Sequence, residues 1–325
     1  MIARRNLLGA AAVALAVPAR AEQAAPVPVP VTFIVAYGPG SANDIIVRLV
    51  QPGLAAQLGQ PVVIENRAGA GGTIGTGAVA RARPDGQTLG LASTATSAIN
   101  PALFRGLPYD TNRDFALVGL LAETPNLLIV PPASPVSTAE ELARHITAAS
   151  APLRFSSPGN GTTQHLNGVQ FALLAGGEAE HIPYRGPPEG VQGVAAGEVE
   201  FGFASLPSAI AQLRAGRVRA LGITGAAPFP EVPDVPTLAS LGLAALRDGG
   251  VWFGIVVPRD TPAPRLARLR EAVSVLRADP ELRQRLVAAG YAPLPPRPTP
   301  DEEAFVTGQV QAWGALVARS GARID

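Results

Sequence analysis

The sequence contains no cysteine and no lysine, and only one methionine, two tryptophans and three histidines among 325 residues. Without cysteine the chain can form no disulfide, no thiolate nucleophile and no sulfur-ligated zinc site. A lipid-anchored bacterial precursor, which needs a cysteine at its cleavage site, is excluded too. His145, His165 and His181 form no pair at metal-ligand spacing, and no G-x-S-x-G nucleophile elbow is present. Charge is scarce, at 16% of residues, and nearly balanced, with 26 arginines against 25 acidic residues. That balance leaves no basic footprint for nucleic acid. Nothing calls for a cofactor. Paired carboxylates remain open to an α/β enzyme, but no motif points to one.

Hydrophobic residues make up 47% of the chain, with 35 glycines and 33 prolines, a globular composition rather than a disordered one. At the N-terminus, Arg4 and Arg5 precede the 11-residue apolar run Leu7–Val17, then Pro18 and the small-residue pattern Ala19-Arg20-Ala21. This order reads as a secretory signal over residues 1–21. The run is short of the roughly 20 residues that a spanning helix needs. Arg4-Arg5-Asn6-Leu7-Leu8 also fits a twin-arginine signal. Removing 21 of the 325 residues leaves 304, comfortable for two lobes, with 23 basic against 25 acidic residues. The expected location is the periplasm.

Along the remainder, β-branched runs alternate with helical spacing. Val31–Val35 reads as a buried strand. Tyr37-Gly38-Pro39-Gly40-Ser41-Ala42 reads as a loop, and a helix follows with Asn43 or Asp44 as its cap. Pro61–Glu65 and Thr88–Ala92 read as further strands of a parallel α/β sheet. Asn126–Pro131 and Trp252–Pro258 flank a middle section with strands near residues 154–156, 181–184, 199–203 and 220–224. Helices are expected over 264–276, 280–289 and 301–318, the last capped by Thr299. A middle lobe inserted into a first lobe through two crossing strands leaves a cleft at the C-terminal ends of the strands. Gly75-Thr76-Gly77-Ala78-Val79-Ala80 fits G-x-G-x-x-A, but it begins ten residues beyond Glu65 rather than directly after the strand, so a dinucleotide site is disfavoured.

Several ordered motifs are similar to one family. They include Ile34-Val35-Ala36-Tyr37-Gly38-Pro39-Gly40 with Asp44, the run from Leu58 to Gly72, Pro84-Asp85-Gly86, and Leu107-Pro108-Tyr109-Asp110. Gly159-Asn160-Gly161-Thr162, Pro183-Tyr184-Arg185-Gly186, Leu206-Pro207-Ser208 and Pro233–Thr237 continue them in register. These resemble the periplasmic solute-binding proteins of tripartite tricarboxylate transporters, the Bug family. The resemblance implies an α/β, two-lobed type II periplasmic-binding fold, each lobe a β-sheet flanked by helices and joined by two crossing strands. Lobe 1 is expected over 22–127 and 252–325, and lobe 2 over 128–251. It further implies a non-enzymatic, monomeric receptor for a small organic anion, expected to be a carboxylate, serving membrane permease subunits. A ligand-sensing accessory protein would share the same fold and site.

Candidate ligand contacts follow from loops that open helices, where free N–H groups and the helix dipole favour an anion. In the first lobe these are Tyr37, Gly38, Pro39, Gly40, Ala42 and Asn43, with Ser93, Thr94 and Thr96 after the third strand. In the second they are Ser157, Asn160, Gly161, Thr162, Thr163 and His165, with Tyr184, Arg185, Ala204 and Ser205. Thr162 or Thr163 is also placed to cap its helix, and Arg185 to hold a carboxylate. Ser41-Ala42-Asn43 departs from the Gly-Ser-Thr usual in the family, and Ala204-Ser205 stands where relatives often carry Asp. Without that Asp an ammonium group would lack a partner.

Overall fold

The computed structural model describes residues 29–320; the expected signal over residues 1–21 lies outside them. Strand β1 (Val31–Val35) buries Val31, Phe33 and Val35 completely beneath helix α1 (Ala42–Leu58). That helix is capped by Ser41, whose Oγ accepts from the Asp44 N–H at 3.2 Å, not by Asn43 or Asp44 as expected. Asp44 is engaged elsewhere, as described below. Gly59, in the left-handed conformation at φ 64°, closes α1 where a side chain would be strained. Strand β2 (Val62–Asn66), helix α2 (Thr73–Ala80) and strand β3 (Thr88–Ser93) follow. The segment after β3 is not a loop but a π-helical turn, Thr94–Ile99, running into α3 (Asn100–Leu103).

Next comes β4 (Phe115–Thr124), the longest strand, which the sequence reading did not identify. After Pro125 the chain enters β5 (Asn126–Val130), then α4 (Ala139–Ala148), β6 (Leu153–Ser157), α5 (Thr163–Ala175) and β7 (Ala179–Pro183). Helix α6 (Pro187–Ala195), β8 (Phe201–Ser205), α7 (Leu206–Arg214) and β9 (Arg219–Ile223) complete this section. The chain returns through β10 (Val251–Pro258) to α8 (Ala263–Ala278), α9 (Pro280–Ala288), β11 (Ala292–Pro293) and α10 (Thr299–Ser320).

Two sheets result. The first has the order β11-β4-β10-β3-β1-β2 and the second β7-β6-β8-β5-β9. Neither is purely parallel: β10 runs antiparallel to β3 and β4, and β5 runs antiparallel to β8 and β9. The reversed strand in each sheet is one that has just crossed from the other, which gives both lobes the same order. This is the two-lobed type II α/β fold.

In the first lobe, α1 and α8 cover one sheet face, and α2 and α10 stand on the other. A buried ion pair fixes α10. Arg277 Nη1 of α8 meets Glu302 Oε1 at 2.6 Å, and Glu302 Oε2 accepts the Leu120 N–H at 3.0 Å. Leu120 lies beside one of the two bulges of β4 against β10. In the second lobe, α6 and α7 cover one face and α4 and α5 the other.

Polar side chains tie the crossings together. Asn126, at the start of β5, donates from Nδ2 to Gly249 O at 2.6 Å and to Thr163 Oγ1 at 3.0 Å, and its N–H reaches Thr224 Oγ1 at 2.9 Å. Asn126 is fully buried, so each of these bonds replaces one to water that was lost on folding. One side chain thereby links both crossing segments to the first turn of α5.

Candidate functional site

The lobes face each other across the C-terminal ends of β1 and β3 on one side and of β6, β7 and β8 on the other. Tyr37, Ser41, Ala42, Asn43, Ser93 and Ala95 form the first wall, with Val251 at the crossing. Pro158, Thr162, Thr163, Gln164, Pro187 and Ser205 form the second. None of these residues is charged. The lobes stand closed: a side chain at Gly40 would press on Pro188, and one at Gly71 would meet the Asn160 carbonyl. A side chain at Gly161 would strike Leu103. Leu166 of α5 joins an apolar cluster with Ile99, Leu103, Trp313 and Val317 across the gap. The space enclosed is about 30 Å³, room for a water molecule or two.

Four helices begin at this cleft. The first residues of α1, Ala42 and Asn43, and of α5, Thr163 and Gln164, carry N–H groups outside the helical ladder. These groups come from opposite lobes. Helix α6 opens with Pro187-Pro188 and contributes a wall but no such donors, and α7 opens with Leu206-Pro207. Leu206 N–H is bonded to Pro125 O at 3.0 Å. The dominant donors are therefore those of α1 and α5.

The supports behind the walls are occupied. Asp44 receives the Gly40 N–H at 3.0 Å, Asn66 Nδ2 at 3.0 Å and a two-point contact from Arg48. Burial acts to raise its carboxyl, but the hydrogen bonds from Arg48, Gly40 and Asn66 and the Arg48 charge outweigh that and hold it below its ordinary value. It thus stays ionised and shapes the Gly38–Ser41 turn without entering the cleft. Tyr37 donates its hydroxyl to Gly71 O at 3.0 Å, and burial pushes that phenol well up. Only its ring is left for the cleft.

On the second lobe, Thr162 caps α5, accepting the His165 N–H at 3.2 Å and donating to Gly159 O at 2.8 Å. His165 stacks on His181, ring centroids 4.0 Å apart, and both rings stack against Phe155. Burial lowers His165 to about 4; burial and then the neighbouring His165 lower His181 to about 3. Both are neutral above pH 6. His165 Nδ1 accepts the Gly161 N–H at 3.4 Å, and His181 Nε2 meets Ser157 Oγ at 2.6 Å. The pair is a neutral prop beneath the loop.

Of the residues singled out from sequence, Tyr37, Ala42, Asn43, Ser93, Thr162, Thr163 and Ser205 line the cleft. Gly38, Pro39 and Gly40 form the turn above it, with Gly40 O facing Ser208 Oγ at 3.5 Å. Asn160 and Gly161 sit at the interlobe seam rather than on the wall. The others fall behind it. Thr94 Oγ1 turns to the Trp252 N–H at 2.9 Å, Thr96 Oγ1 takes the Ser93 N–H at 3.1 Å, and Ser157 braces Gly159 and His181. His165 is the prop just described. Ala204 is buried beneath α6 and α7. Tyr184 packs on α6 with its hydroxyl on Glu198 at 2.9 Å, and Arg185 is exposed, with its N–H on Glu189. Neither Tyr184 nor Arg185 lines the cleft.

Ser41, Ala95, Pro158, Gln164, Pro187 and Val251 were not singled out. Gln164 could have been found as a first-turn residue of the helix for which Thr162 was a candidate cap, and Pro187 as a proline opening a helix. Ala95 and Val251 carry no chemical signal.

Residues 46–322 match the family model described as "Tripartite tricarboxylate transporter family receptor". The chain is 30% identical over 297 residues to Protein BugT of Bordetella pertussis, covering 91% of this chain and 90% of that one. MatC of Rhodopseudomonas palustris with bound malate superposes with a TM-score of 0.83 at 32% identity, covering 89% of this chain and 99% of that one. Rpa4515 of R. palustris with adipate gives 0.86 at 28% identity, covering 91% and 99%. The family is thus described as one of receptors, and two of these relatives hold a dicarboxylate. Sequence and fold agree, and the chain belongs to the tripartite tricarboxylate transporter receptor family, among the Bug proteins.

Proposed function

We propose that this chain is an exported periplasmic receptor that encloses a small organic anion, a dicarboxylate of about four to six carbons, and presents it to a membrane permease. The observation that carries this reading is the cleft itself. Two opposed helix N-termini offer four N–H groups from Ala42, Asn43, Thr163 and Gln164 into a space lined by hydroxyls and amides. An anion gains from both dipoles, by about 0.3–1 kcal/mol each at an exposed end and more where water is excluded. No acidic side chain lines the space, so a carboxylate meets no like charge there and an ammonium group finds no partner. The malate and adipate held by the two Rhodopseudomonas proteins support the carboxylate class.

In this reading residues 1–21 are removed on export, by the general or the twin-arginine route. The lobes, 22–127 with 252–325 and 128–251, separate to admit the ligand and close around it less tightly than here, where the space of about 30 Å³ has room only for water. Donors from both lobes meet only in the closed form, so the ligand favours closure by bonding both sides at once. The closed face is then what a permease recognises.

A thermal-shift panel of mono-, di- and tricarboxylates, amino acids and sugars tests this. A ligand at 100 times its dissociation constant stabilises by about 2.7 kcal/mol. Dicarboxylates alone should raise the melting temperature. A shift confined to sugars or amino acids would overturn the anion reading while leaving the fold intact.

A further inference from the structure

The first lobe contains a second enclosed space that shares no lining residue with the interlobe cleft. It lies on the sheet face carrying α2 and α10, and small residues create it. Ala36, Gly90 and Ala92 leave the face low. Gly75 lets α2 sit close on β1, since a side chain there would press on the Ala36 backbone. Between α2 and α10 a cavity of about 190 Å³ remains. An apolar cavity of about 150 Å³ in another protein stays dry and takes benzene.

Its walls are mainly hydrocarbon, from Ile34, Val79, Leu91, Phe115, Val256 and Val306. Three polar atoms of its lining residues have no hydrogen-bond partner, Thr76 Oγ1, Thr111 Oγ1 and Trp252 Nε1, and Trp252 is only 3% exposed. A buried N–H without an acceptor carries a desolvation cost that a ligand oxygen would relieve. At the rim stand Arg259 and Glu303. Glu303 leans to Arg270 at 3.8 Å, whereas Arg259 forms no ion pair among the described residues and gives only Nη1 to Phe115 O at 3.3 Å. The rim thus presents one guanidinium without an ion pair above an apolar well, with Asp110, Asp114 and Asp260 lining the adjoining pocket beside it.

We propose that this cavity is a second binding site, separate from the cleft, for an amphipathic monocarboxylate with a hydrocarbon body of about six to eight carbons. The body fills the well and the carboxylate meets Arg259. The site lies directly behind the cleft: Ala36, Ala92 and Trp252 line it, while their chain neighbours Tyr37, Ser93 and Val251 line the cleft.

The two tryptophans make the test direct. Trp313 Nε1 already donates to Gln309 Oε1 at 3.1 Å and lies outside the cavity, so it serves as the internal control. Phenylacetate is titrated into ¹⁵N-labelled protein while the two indole N–H resonances are followed. The Trp252 resonance should move saturably and that of Trp313 should not. Arg259→Gln, at an exposed position, should weaken the effect about tenfold or more. Thr307→Phe, on the exposed face of α10 at the rim, should abolish it, with melting temperatures confirming that both variants fold. Toluene, the same body without the carboxylate, should bind at least about tenfold more weakly. A Trp252 resonance unmoved at about 10 mM phenylacetate, or a response equal in wild type and both variants, would overturn the proposal. Equal binding of toluene would overturn the role given to Arg259.

Discussion

Acidification from pH 7 to pH 5 should destabilise this protein through two histidines. His165 and His181 stand at about 4 and about 3 in the folded chain, against about 6.5 when unfolded. Between those values the unfolded chain binds protons that the native chain refuses, so stability falls as pH falls. The stabilisation is fully present above about pH 6.5 and is lost through the window down to about pH 4 for His165 and about pH 3 for His181. One ring with so low a folded value would lose about 2 kcal/mol by pH 5, at roughly 1.4 kcal/mol per pH unit. Both rings are only partly buried, and solvent screens part of this, so about 2 kcal/mol for the pair is the working figure. Carboxylates act elsewhere. Asp44, held below its ordinary value, loses its contribution only below about pH 4, and Glu123, raised by burial, works in the opposite direction. Urea unfolding followed by circular dichroism at pH 7, 6 and 5 measures the slope, and His165→Phe with His181→Phe should flatten it. An equal slope in that double variant would refute the assignment to these rings.

Three further outcomes follow from the same geometry. Glu302→Ala leaves Arg277 buried without its partner and frees α10 from β4, so chemical denaturation should show a loss of about 3–5 kcal/mol. Thr162→Ala removes the cap of α5 and the bond to Gly159 O, and should cost about 1 kcal/mol by the same assay while also weakening ligand binding. Gly161→Ala forces a side chain onto Leu103 at a left-handed φ of 77°. Small-angle scattering should then show a more open molecule with ligand than the wild type gives.

The parts of this fold legible in the sequence were those with local punctuation. Gly-Pro turns, caps and β-branched runs located β1, β2, β3 and most strands of the second lobe. The strand β4 escaped because Phe115–Thr124 is buried nearly throughout and bulges twice against β10, so it shows no alternation. Both reversed strands, β5 and β10, were located, but their direction escaped because pairing direction is set by the crossing topology and leaves no local mark. In the cleft, loops that open helices could be identified, but side-chain direction could not. Thr94 and Thr96 flank Ser93 with the same hydroxyl, yet the π-helical turn sends them to β10 and to the turn's own backbone. Arg185 looked like the natural carboxylate partner by charge alone, and the structure leaves it exposed.

The central claim is that the cleft holds its anion by helix N-termini, hydroxyls and amides, with no charged side chain. Isothermal titration of the preferred dicarboxylate against wild type, Arg185→Ala and Thr163→Val tests it most directly. The account predicts that Arg185→Ala binds within about twofold of wild type and that Thr163→Val, which alters the wall and removes one of the two acceptors of Asn126 Nδ2, binds at least about tenfold more weakly. Loss of binding in Arg185→Ala, with Thr163→Val unaffected, would contradict it.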